Sequence, residues 1–359
     1  MRVRVAEPSD RERLVRFNRR LHDGGRTESI PREHDPLVDS ADLPVFPRLL
    51  VAEDGDEVRA GMRLVHHRMF LNGEPRRFAY VQMPISEGLV NRAHSLAILQ
   101  VVKYAMTCEP FLISLGVGSL EESWARFVIS QKWHHSAVPF LFFPLRMTRV
   151  LRHLRYLDRK PALARIARVG AAMGAGALVG APLNLYRRWK APRRNVEMVA
   201  EFGDWADDIF RKALPGYPAV AQRDRVALNL IYPVRERRFV RLRVGDSGWV
   251  VVSLVPMRDH KYFGDLVVGV IVDGLGPIDQ VPALLGAASH YLAANGADLL
   301  VANWSHSAWV TASKSLGFLE APSNYFVFVA PTAPALDFTS VHLTRGDSDG
   351  MVNLRPPVE

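Results

Sequence analysis

The most restrictive feature of this sequence is that one order of predicted strands and helices occurs twice, before and after a basic central stretch. Each copy begins with three strand-like runs that are rich in β-branched and other apolar residues and are separated by turn residues. The runs are residues 49–53, 57–66 and 77–83 in the first copy and residues 239–244, 249–255 and 266–272 in the second. Each copy therefore predicts a three-stranded meander.

The same order continues beyond both meanders. A glycine-containing loop, an amphipathic helix, an apolar strand, a short helix and a final strand follow each of them. The predicted elements are the helices 91–106 and 278–294, the strands 111–117 and 298–303, and the final strands 137–143 and 325–329. In the short helices, Trp124 and Trp309 each stand nine residues before an aromatic residue, Trp133 and Phe318. The agreement over successive elements predicts a structural duplication.

The positive charge of the chain is concentrated between the two copies. The formal net charge is +9, yet residues 145–195 alone hold thirteen Lys and Arg residues and one acid, Asp158. The rest of the chain is therefore slightly acidic. A nucleic-acid-binding fold usually spreads its basic residues over a groove or a helix face. The concentration here favours a local attachment segment.

An uncharged run of eighteen residues, 169–186, lies inside this basic stretch. Its length just reaches that of a membrane span, but it is rich in Gly and Ala and contains Pro182, which disfavours a span. Contact with an anionic membrane surface is the favoured interpretation, because basic clusters flank the run on both sides. A small-residue helical hairpin packed on the protein and a true span remain the alternatives.

Composition limits the class and the compartment of the protein. Apolar residues make up 48% of the 359 residues and charged residues 23%, which is typical of globular domains that bury a core. The single cysteine, Cys108, cannot form an intramolecular disulfide or a cysteine-based zinc cluster. The charged N-terminal residues 1–10 lack the apolar run of a signal peptide. We therefore expect a cytoplasmic protein, with peripheral contact at the inner face of the membrane through residues 146–195.

Several motifs resemble those of the GNAT acyltransferase superfamily. Residues 3–10 (Val-Arg-Val-Ala-Glu-Pro-Ser-Asp) and the amphipathic run through Leu21 look like the opening strand, turn and first helix of that fold. Residues 299–303 and 312–318, which end in Gly317-Phe318, look like its later strand, helix and Gly-Phe signature. Arg223-Asp224, Tyr232-Pro233 and residues 344–350 also resemble tandem members associated with bacterial surface polysaccharides.

The resemblance implies an α/β fold with two GNAT-like units, each a mixed and mostly antiparallel sheet flanked by helices. The expected organisation is a first domain over residues 1–145, a basic helical connector over 146–195, a second domain over 196–335 and a tail over 336–359. Acetyl-CoA or another acyl-CoA is the co-substrate that the family uses. Its pyrophosphate lies at the start of the helix after the fourth strand, where backbone N–H groups bind anions.

The coenzyme contacts that the resemblance implies fall in the first copy. They are Asn91, Arg92, Ala93 and His94 at the helix start, with Gln82 and Met83 on the strand whose edge would meet pantetheine. Alternation of core residues is the other interpretation of Gln82 and Met83. His306 is a candidate base, with a helix cap or surface role as its alternative. Glu122 is a second candidate catalytic residue, although Glu121 and Glu122 also suit a first helical turn.

The chain departs from the family pattern at the coenzyme loop and at the proton donor. Neither residues 86–94 nor residues 273–279 contain the usual Arg/Gln-x-x-Gly-x-Gly/Ala motif, and Glu87 and Asp273 bring negative charge near the expected diphosphate. Ser313 and Val128 stand where many members have a tyrosine. No metal is expected: Asp347 and Asp349 suggest calcium only weakly, because the completing Glu of a twelve-residue loop is absent.

Three functions follow from this sequence. The first is an acyl-CoA-dependent N-acyltransferase acting on an amino group, with an amine-bearing small molecule or a membrane-associated, lipid-linked saccharide intermediate as the predicted acceptor. The second is a Fem-type aminoacyltransferase, for which charged tRNA as donor would suit the thirteen cations. The third is a non-catalytic binding module that has kept the fold, because a fold does not imply an activity.

Overall fold

The computed structural model describes residues 1–30, 42–155, 169, 175–190 and 194–347. Asp349, one of the two residues that suggest calcium, lies outside these ranges, as do residues 156–168, 170–174 and 191–193 of the basic stretch.

Strands and helices alternate along the chain as in an α/β protein. The strands are β1 (Arg2–Val5), β2 (Val45–Asp54), β3 (Glu57–Leu71), β4 (Glu74–Ser86), β5 (Leu112–Val117), β6 (His134–Ala137), β7 (Phe140–Pro144), β8 (Glu197–Val199), β9 (Ala219–Ala221), β10 (Val240–Arg243), β11 (Trp249–Pro256), β12 (Val267–Leu275), β13 (Leu299–Asn303), β14 (Leu319–Ala321), β15 (Tyr325–Val329) and β16 (Val341–His342). The α-helices are α1 (Arg11–Asp23), α2 (Ala97–Cys108), α3 (Ser123–Ser130), α4 (Met147–His153), α5 (Ala175–Lys190), α6 (Trp205–Ala213), α7 (Arg225–Ile231), α8 (Val281–Ala294) and α9 (Ser307–Ser315).

The chain forms two compact units. The first comprises residues 1–136 and 326–335, and the second comprises residues 137–325 and 336–359. One mixed sheet has the strand order β1-β2-β3-β4-β5-β15-β6, and the other has the order β14-β7-β13-β12-β11-β10-β8. The predicted fold class, α/β with two mixed sheets flanked by helices, is confirmed.

The first unit is built around the long β2–β3–β4 meander. Asn72 and Gly73 both have positive φ, 50° and 85°, which is the backbone of a type I′ hairpin turn between β3 and β4. Helix α2 packs on this sheet with the apolar positions Ala97, Val101 and Ala105, which recur every four residues along one face. Complete burial of the Val101 side chain stabilises the unit by about 1.5–3 kcal/mol.

The second unit has strands that are buried on both faces. β11, β12 and β13 consist almost entirely of buried residues, and β12 pairs in parallel with β13 from Val268–Leu299 to Ile271–Ala302. Such continuous apolar runs are expected where helices cover a sheet. Helix α8 packs against β11 and β12 and is itself largely buried. Gly296 ends it with φ 91°, as the Asn295-Gly296 pair predicts.

The two halves of the chain exchange their last strands. The sequence predicts that residues 137–143 and 325–329 each complete the sheet of their own copy. Instead, β7 pairs with β13 and β14 in the second unit, whereas β15 lies between β5 and β6 in the first. A proline precedes each exchanged strand, Pro139 before β7 and Pro322 before β15. Because proline lacks an N–H group, the preceding strand ends there and the chain is free to enter another sheet.

The described part of the basic connector packs on the second unit. Gly176 and Gly180 of α5 lie against Thr148 and Met147 of α4, where an added Cβ would come within 2.7 Å and 2.9 Å of their atoms. Arg146 and Arg149 bind the buried carboxylate of Asp298, at 3.2 Å and 3.1 Å. These contacts hold one side of α5 on the protein, and the predicted membrane-surface contact stays a prediction. Among the described helices, none has the length and apolar character needed to cross a membrane.

Candidate functional site

Strands β4 and β5 of the first unit diverge, which creates a gap in its sheet. Their parallel ladder joins Ala79 to Leu112 and Tyr80 to Ile113. Beyond these pairs β4 runs on to Ser86 and β5 to Val117. An added Cβ on Gly116 would meet no described atom within 4 Å. One face of β5 is therefore open at Gly116, close to the point where β4 and β5 separate.

A β-bulge bends β4 at the edge of this gap. The register with β3 shifts between the pairs Arg63–Gln82 and Gly61–Ile85, and Met83 has φ 46°. A positive φ at a non-glycine residue is uncommon, and bulges are frequent beside functional sites. Gln82 accepts a 2.9 Å hydrogen bond from Nη1 of Arg63, and Met83 packs against the core beneath α1. Gln82 and Met83, the predicted pantetheine contacts, thus lie where the two strands separate.

A compact loop joins β4 to α2. It contains two 3₁₀ turns, Glu87–Leu89 and Arg92–His94, so α2 itself begins at Ala97 and not at residue 91 as predicted. An added Cβ on Gly88 would lie 2.7 Å from Cα of Ser95, and this closeness requires glycine. The Oδ1 atom of Asn91 accepts a 3.1 Å hydrogen bond from the N–H of Ala93 and caps the second turn.

The loop exposes a cation and buries an anion. Asn91, Arg92 and Ala93 are exposed, and His94 is half-buried. Glu87 is buried, because its carboxylate accepts hydrogen bonds from Nε of Arg20 at 3.1 Å and from Nη1 of Arg59 at 2.9 Å. Two arginines from other elements therefore compensate the negative charge that the sequence placed against a diphosphate. The exposed charge of the loop is positive.

The remaining candidates of the first unit lie at the start of α3. Glu122 is the N-cap residue of α3 and is exposed, without a side-chain capping hydrogen bond. The Nε1–H of Trp124 donates a 2.9 Å hydrogen bond to Oγ of Ser114, which ties α3 to the diverging part of β5. A short loop joins the end of β5 to Glu122. Its catalytic role stays a prediction.

His306 in the second unit is occupied as a helix cap. Its Nδ1 accepts a 3.2 Å hydrogen bond from the N–H of Ala308 at the start of α9. Burial lowers the pKa of His306, against a smaller raising effect of Asp337. Nδ1 is therefore held as an acceptor of a backbone proton, which is the cap role that the sequence offered as its alternative. If His306 acts as a base, its Nε2 atom would accept the proton.

The gap of the second unit is filled by the chain itself. β12 continues to Leu275 beyond its last pair with β13, and residues 341–347, here called the C-terminal segment, lie in this space. Nε2 of His342 bonds to the carbonyl of Gly274 at 2.9 Å, and the N–H of Leu343 donates to Oγ of Ser305 at 2.7 Å. The segment thus contacts both sides of the gap.

A buried ionic network fixes the C-terminal segment. Asp273 accepts hydrogen bonds from Nε of Arg223 at 3.0 Å, from the hydroxyl of Tyr232 at 2.8 Å and from the hydroxyl of Thr344 at 3.1 Å. Arg223 also binds Asp347. Burial raises the pKa of Asp273; in Asp347 it acts in the same direction but is outweighed by Arg223, so that pKa is lowered. Asp273, like Glu87, is compensated and turned away from any diphosphate.

The second unit has a separate cleft of about 400 Å³ between α8 and α9. It is lined by Ile278, Asp279, Pro282, Ser307, Ala308, Thr311, Ala312 and Ser315. Hydroxyl groups and one carboxylate supply its polar surface, and none of these lining residues is a cation. The cleft therefore gives little electrostatic attraction for a diphosphate.

Solved structures share this architecture. A probable N-acyltransferase from Enterococcus faecalis is 7% identical, with a TM-score of 0.53 over 92% of this chain and 73% of that chain. The fold of this chain is similar to the fold of that protein. N-myristoyltransferase from Saccharomyces cerevisiae, solved with bound myristoyl-CoA, is 10% identical, with a TM-score of 0.50 over 95% of this chain and 85% of that chain. A tandem GNAT protein of clavulanic acid biosynthesis has 13% identity and a TM-score of 0.44 over 93% of this chain and 99% of that chain. No model of a protein family matches the sequence, and neither does any curated protein.

The sequence alone missed the network that closes the second GNAT-like unit. Its members were visible as two motifs: Arg223 and Tyr232 in one, and Thr344 and Asp347 in the other. The structure brings the two motifs together, and an added Cβ on Gly346 would lie only 1.9 Å from the Tyr232 hydroxyl oxygen. Oδ2 of Asp347 accepts a 2.7 Å hydrogen bond from the N–H of Thr344. The one signal in the sequence was that one motif contains a cation, Arg223, and the other contains an anion, Asp347.

Proposed function

We propose that the first unit binds acyl-CoA and transfers the acyl group to an amine. The observation that carries this proposal is the contrast between the two gaps. Beyond Tyr80 and Ile113 the two strands separate and the face of β5 is open at Gly116, whereas the space beyond Ile271 and Ala302 contains the C-terminal segment. The similarity to acyltransferases supports acyl-CoA as the donor. The choice of acceptor has to be argued from the residues of the site.

The first unit offers a group for each part of the donor. The pantetheine arm would lie along the β4 edge beyond Tyr80, beside Gln82 and Met83. The diphosphate would lie at the loop before α2, where the N–H groups of a helix start and an exposed Arg92 attract anions. His94 is close enough to add a donor at the same loop. The pairing of Glu87 with Arg20 and Arg59 removes the repulsion that would oppose this ligand.

The transfer itself needs alignment, carbonyl polarisation and a proton acceptor. The amine nitrogen attacks the thioester carbonyl, a C–N bond forms, the C–S bond breaks, and coenzyme A leaves as the thiolate. The bulge at Met83 takes backbone groups out of the ladder, and such groups can stabilise the developing oxyanion. Glu122 is the proposed acceptor of the amine proton. Tyrosine is absent from the usual donor position, held here by Val128, so the thiolate would be protonated by solvent.

The acceptor predicted from the sequence is an amino group on a membrane-associated saccharide intermediate, and we retain it as a proposal. A panel of amino sugars, peptide amines and lipid-linked amines tests it by mass spectrometry of the products. Transfer to peptide amines alone would contradict the saccharide assignment without affecting donor binding.

Charged tRNA is a weaker donor candidate because four of the described connector cations have local partners. Arg146 and Arg149 bind Asp298, Arg155 binds Asp259, and Arg187 is buried over the ring of Phe143. These charges are therefore only partly available to phosphates. Steeply salt-dependent tRNA binding that exceeds acetyl-CoA binding would favour the aminoacyltransferase alternative.

Isothermal titration of acetyl-CoA into the full chain tests the proposed donor site. Arg92→Glu should weaken binding by about tenfold or more, since it reverses a charge beside the diphosphate. Arg76→Glu is the matched control, because Arg76 is exposed at the distant end of β4 and undergoes the same charge change. Thr311→Trp fills the second cleft and should leave the affinity unchanged.

Each contrary result has a definite meaning. Loss of binding in Thr311→Trp but not in Arg92→Glu would assign the donor to the second unit. Equal losses in Arg92→Glu and Arg76→Glu would reject a local diphosphate contact. No binding by the wild-type chain would favour a non-catalytic module.

A further inference from the structure

Helix α5 presents an apolar face that no described part of the protein covers. Leu178 is 78% exposed and Leu185 is 69% exposed, far more than is usual for leucine. Ala181 and Pro182 are exposed between them, and Tyr186 is 43% exposed. The spacing of three and four residues places these side chains on one side of the helix. We call this set the α5 apolar face.

The opposite side of α5 is fixed to the protein. Gly180 packs against Met147, and Nδ2 of Asn184 donates a 2.8 Å hydrogen bond to the carbonyl of Leu145. Arg187 is buried, with its guanidinium 5.3 Å from the ring centroid of Phe143. Buried and exposed residues thus alternate with the helical period. The helix is held with its apolar side outward, the reverse of an ordinary surface helix.

Basic residues lie beside this face. Lys190 is exposed at the C-terminal end of α5, Arg194 is exposed just beyond it, and Arg152 is exposed on α4. The sequence contains no Asp or Glu between Asp158 and Glu197. An apolar helix face bordered by cations complements a surface that is apolar within and anionic at its boundary.

We propose that the α5 apolar face docks on the surface of an anionic lipid bilayer, with α5 parallel to the membrane plane. Leu178 and Leu185 enter the boundary between headgroups and acyl chains, while Lys190 and Arg194 bind anionic headgroups. The sixteen residues of α5 extend about 24 Å at 1.5 Å per residue, which suits a helix lying on a membrane. This proposal does not depend on the proposed acyl transfer, since it requires neither the donor nor the first unit.

Vesicle co-sedimentation of the full-length chain tests the docking proposal. The probes are vesicles of phosphatidylglycerol with phosphatidylcholine and vesicles of phosphatidylcholine alone. The wild type should bind the anionic vesicles, and Leu178→Gln/Leu185→Gln should weaken that binding at least tenfold. The matched control is Val226→Gln/Val234→Gln, because Val226 and Val234 are exposed apolar residues elsewhere in the second unit. This control should bind like the wild type.

The electrostatic part is tested separately. Lys190→Gln/Arg194→Gln should weaken binding to anionic vesicles by about 25-fold, since each basic residue near a membrane contributes roughly fivefold. Failure of the wild-type protein to bind anionic vesicles would overturn the proposal. Equal binding by Leu178→Gln/Leu185→Gln and by Val226→Gln/Val234→Gln would also overturn it. Sedimentation velocity without vesicles gives a further outcome. A dimer that Leu178→Gln/Leu185→Gln abolishes, without vesicle binding, would assign the face to a second copy and overturn the membrane assignment.

Discussion

The hydroxyl group of Thr344 donates a 3.1 Å hydrogen bond to Oδ1 of Asp273, which joins the C-terminal segment to the diverging end of β12. Both residues are fully buried, so the contact is made inside the second unit and not on its surface. Arg223 extends it by binding Asp273 and Asp347 together. The segment is therefore an integral part of the second unit.

Loss of the Asp347 carboxylate should destabilise the second unit strongly. Asp347→Ala leaves Arg223 buried with one carboxylate fewer, and breaking a buried ion pair costs about 3–5 kcal/mol. Urea unfolding monitored by tryptophan fluorescence measures the change. The control is Asp246→Ala, which removes an exposed pair with Arg243 and should change the free energy of unfolding by less than about 1 kcal/mol. Equal effects of the two variants would show that the network contributes little.

Acid should destabilise the second unit through His342. Burial lowers the pKa of His342 to about 3, whereas histidine in the unfolded chain titrates near pH 6.5. Between these values the unfolded chain binds a proton that the folded chain does not, so the free energy of unfolding falls as pH falls. The expected slope is about 1.4 kcal/mol per pH unit well below pH 6.5. In His342→Gln, the free energy of unfolding should lose this contribution to its pH dependence between pH 6 and pH 4. Parallel pH profiles for the wild type and His342→Gln would contradict the lowered pKa of His342.

The packing of α5 on α4 should tolerate no side chain at Gly176. An added Cβ there would lie 2.7 Å from Oγ1 and 2.8 Å from Cα of Thr148, and overpacking of this kind typically costs about 1–3 kcal/mol. Gly176→Val should therefore increase proteolysis within residues 175–190. Ala181→Val makes a similar change at an exposed position of the same helix and should be cut like the wild type. Comparable cleavage of both variants would indicate that α5 is loosely held.

Much of the architecture was predictable from local patterns, and the exchange of strands was not. Turn residues such as Asn72-Gly73 and the apolar periodicity of α2 specify local structure directly. Residues 140–144 would complete either sheet equally well by their own pattern, so their pairing with β13 depends on tertiary packing. Local sequence patterns carry no information on that packing.

The candidate site shows the same limit. The exposed loop at Arg92 and the helix start were predictable because they lie close together along the chain. The neutralisation of Glu87 was not, since Arg20 and Arg59 come from α1 and β3. The closure of the second gap links residues more than one hundred positions apart, as in Arg223 and Asp347. Charges that look unfavourable in sequence can therefore be compensated by distant partners.

Hydrogen–deuterium exchange of the full chain with and without acetyl-CoA tests the central claim most directly. If the first unit binds the donor, peptides covering residues 81–100 should gain protection, because the ligand covers the β4 edge and the loop before α2. Peptides covering residues 272–282 and 304–315 should exchange at unchanged rates. Protection of the latter peptides, with unchanged exchange over residues 81–100, would contradict the account.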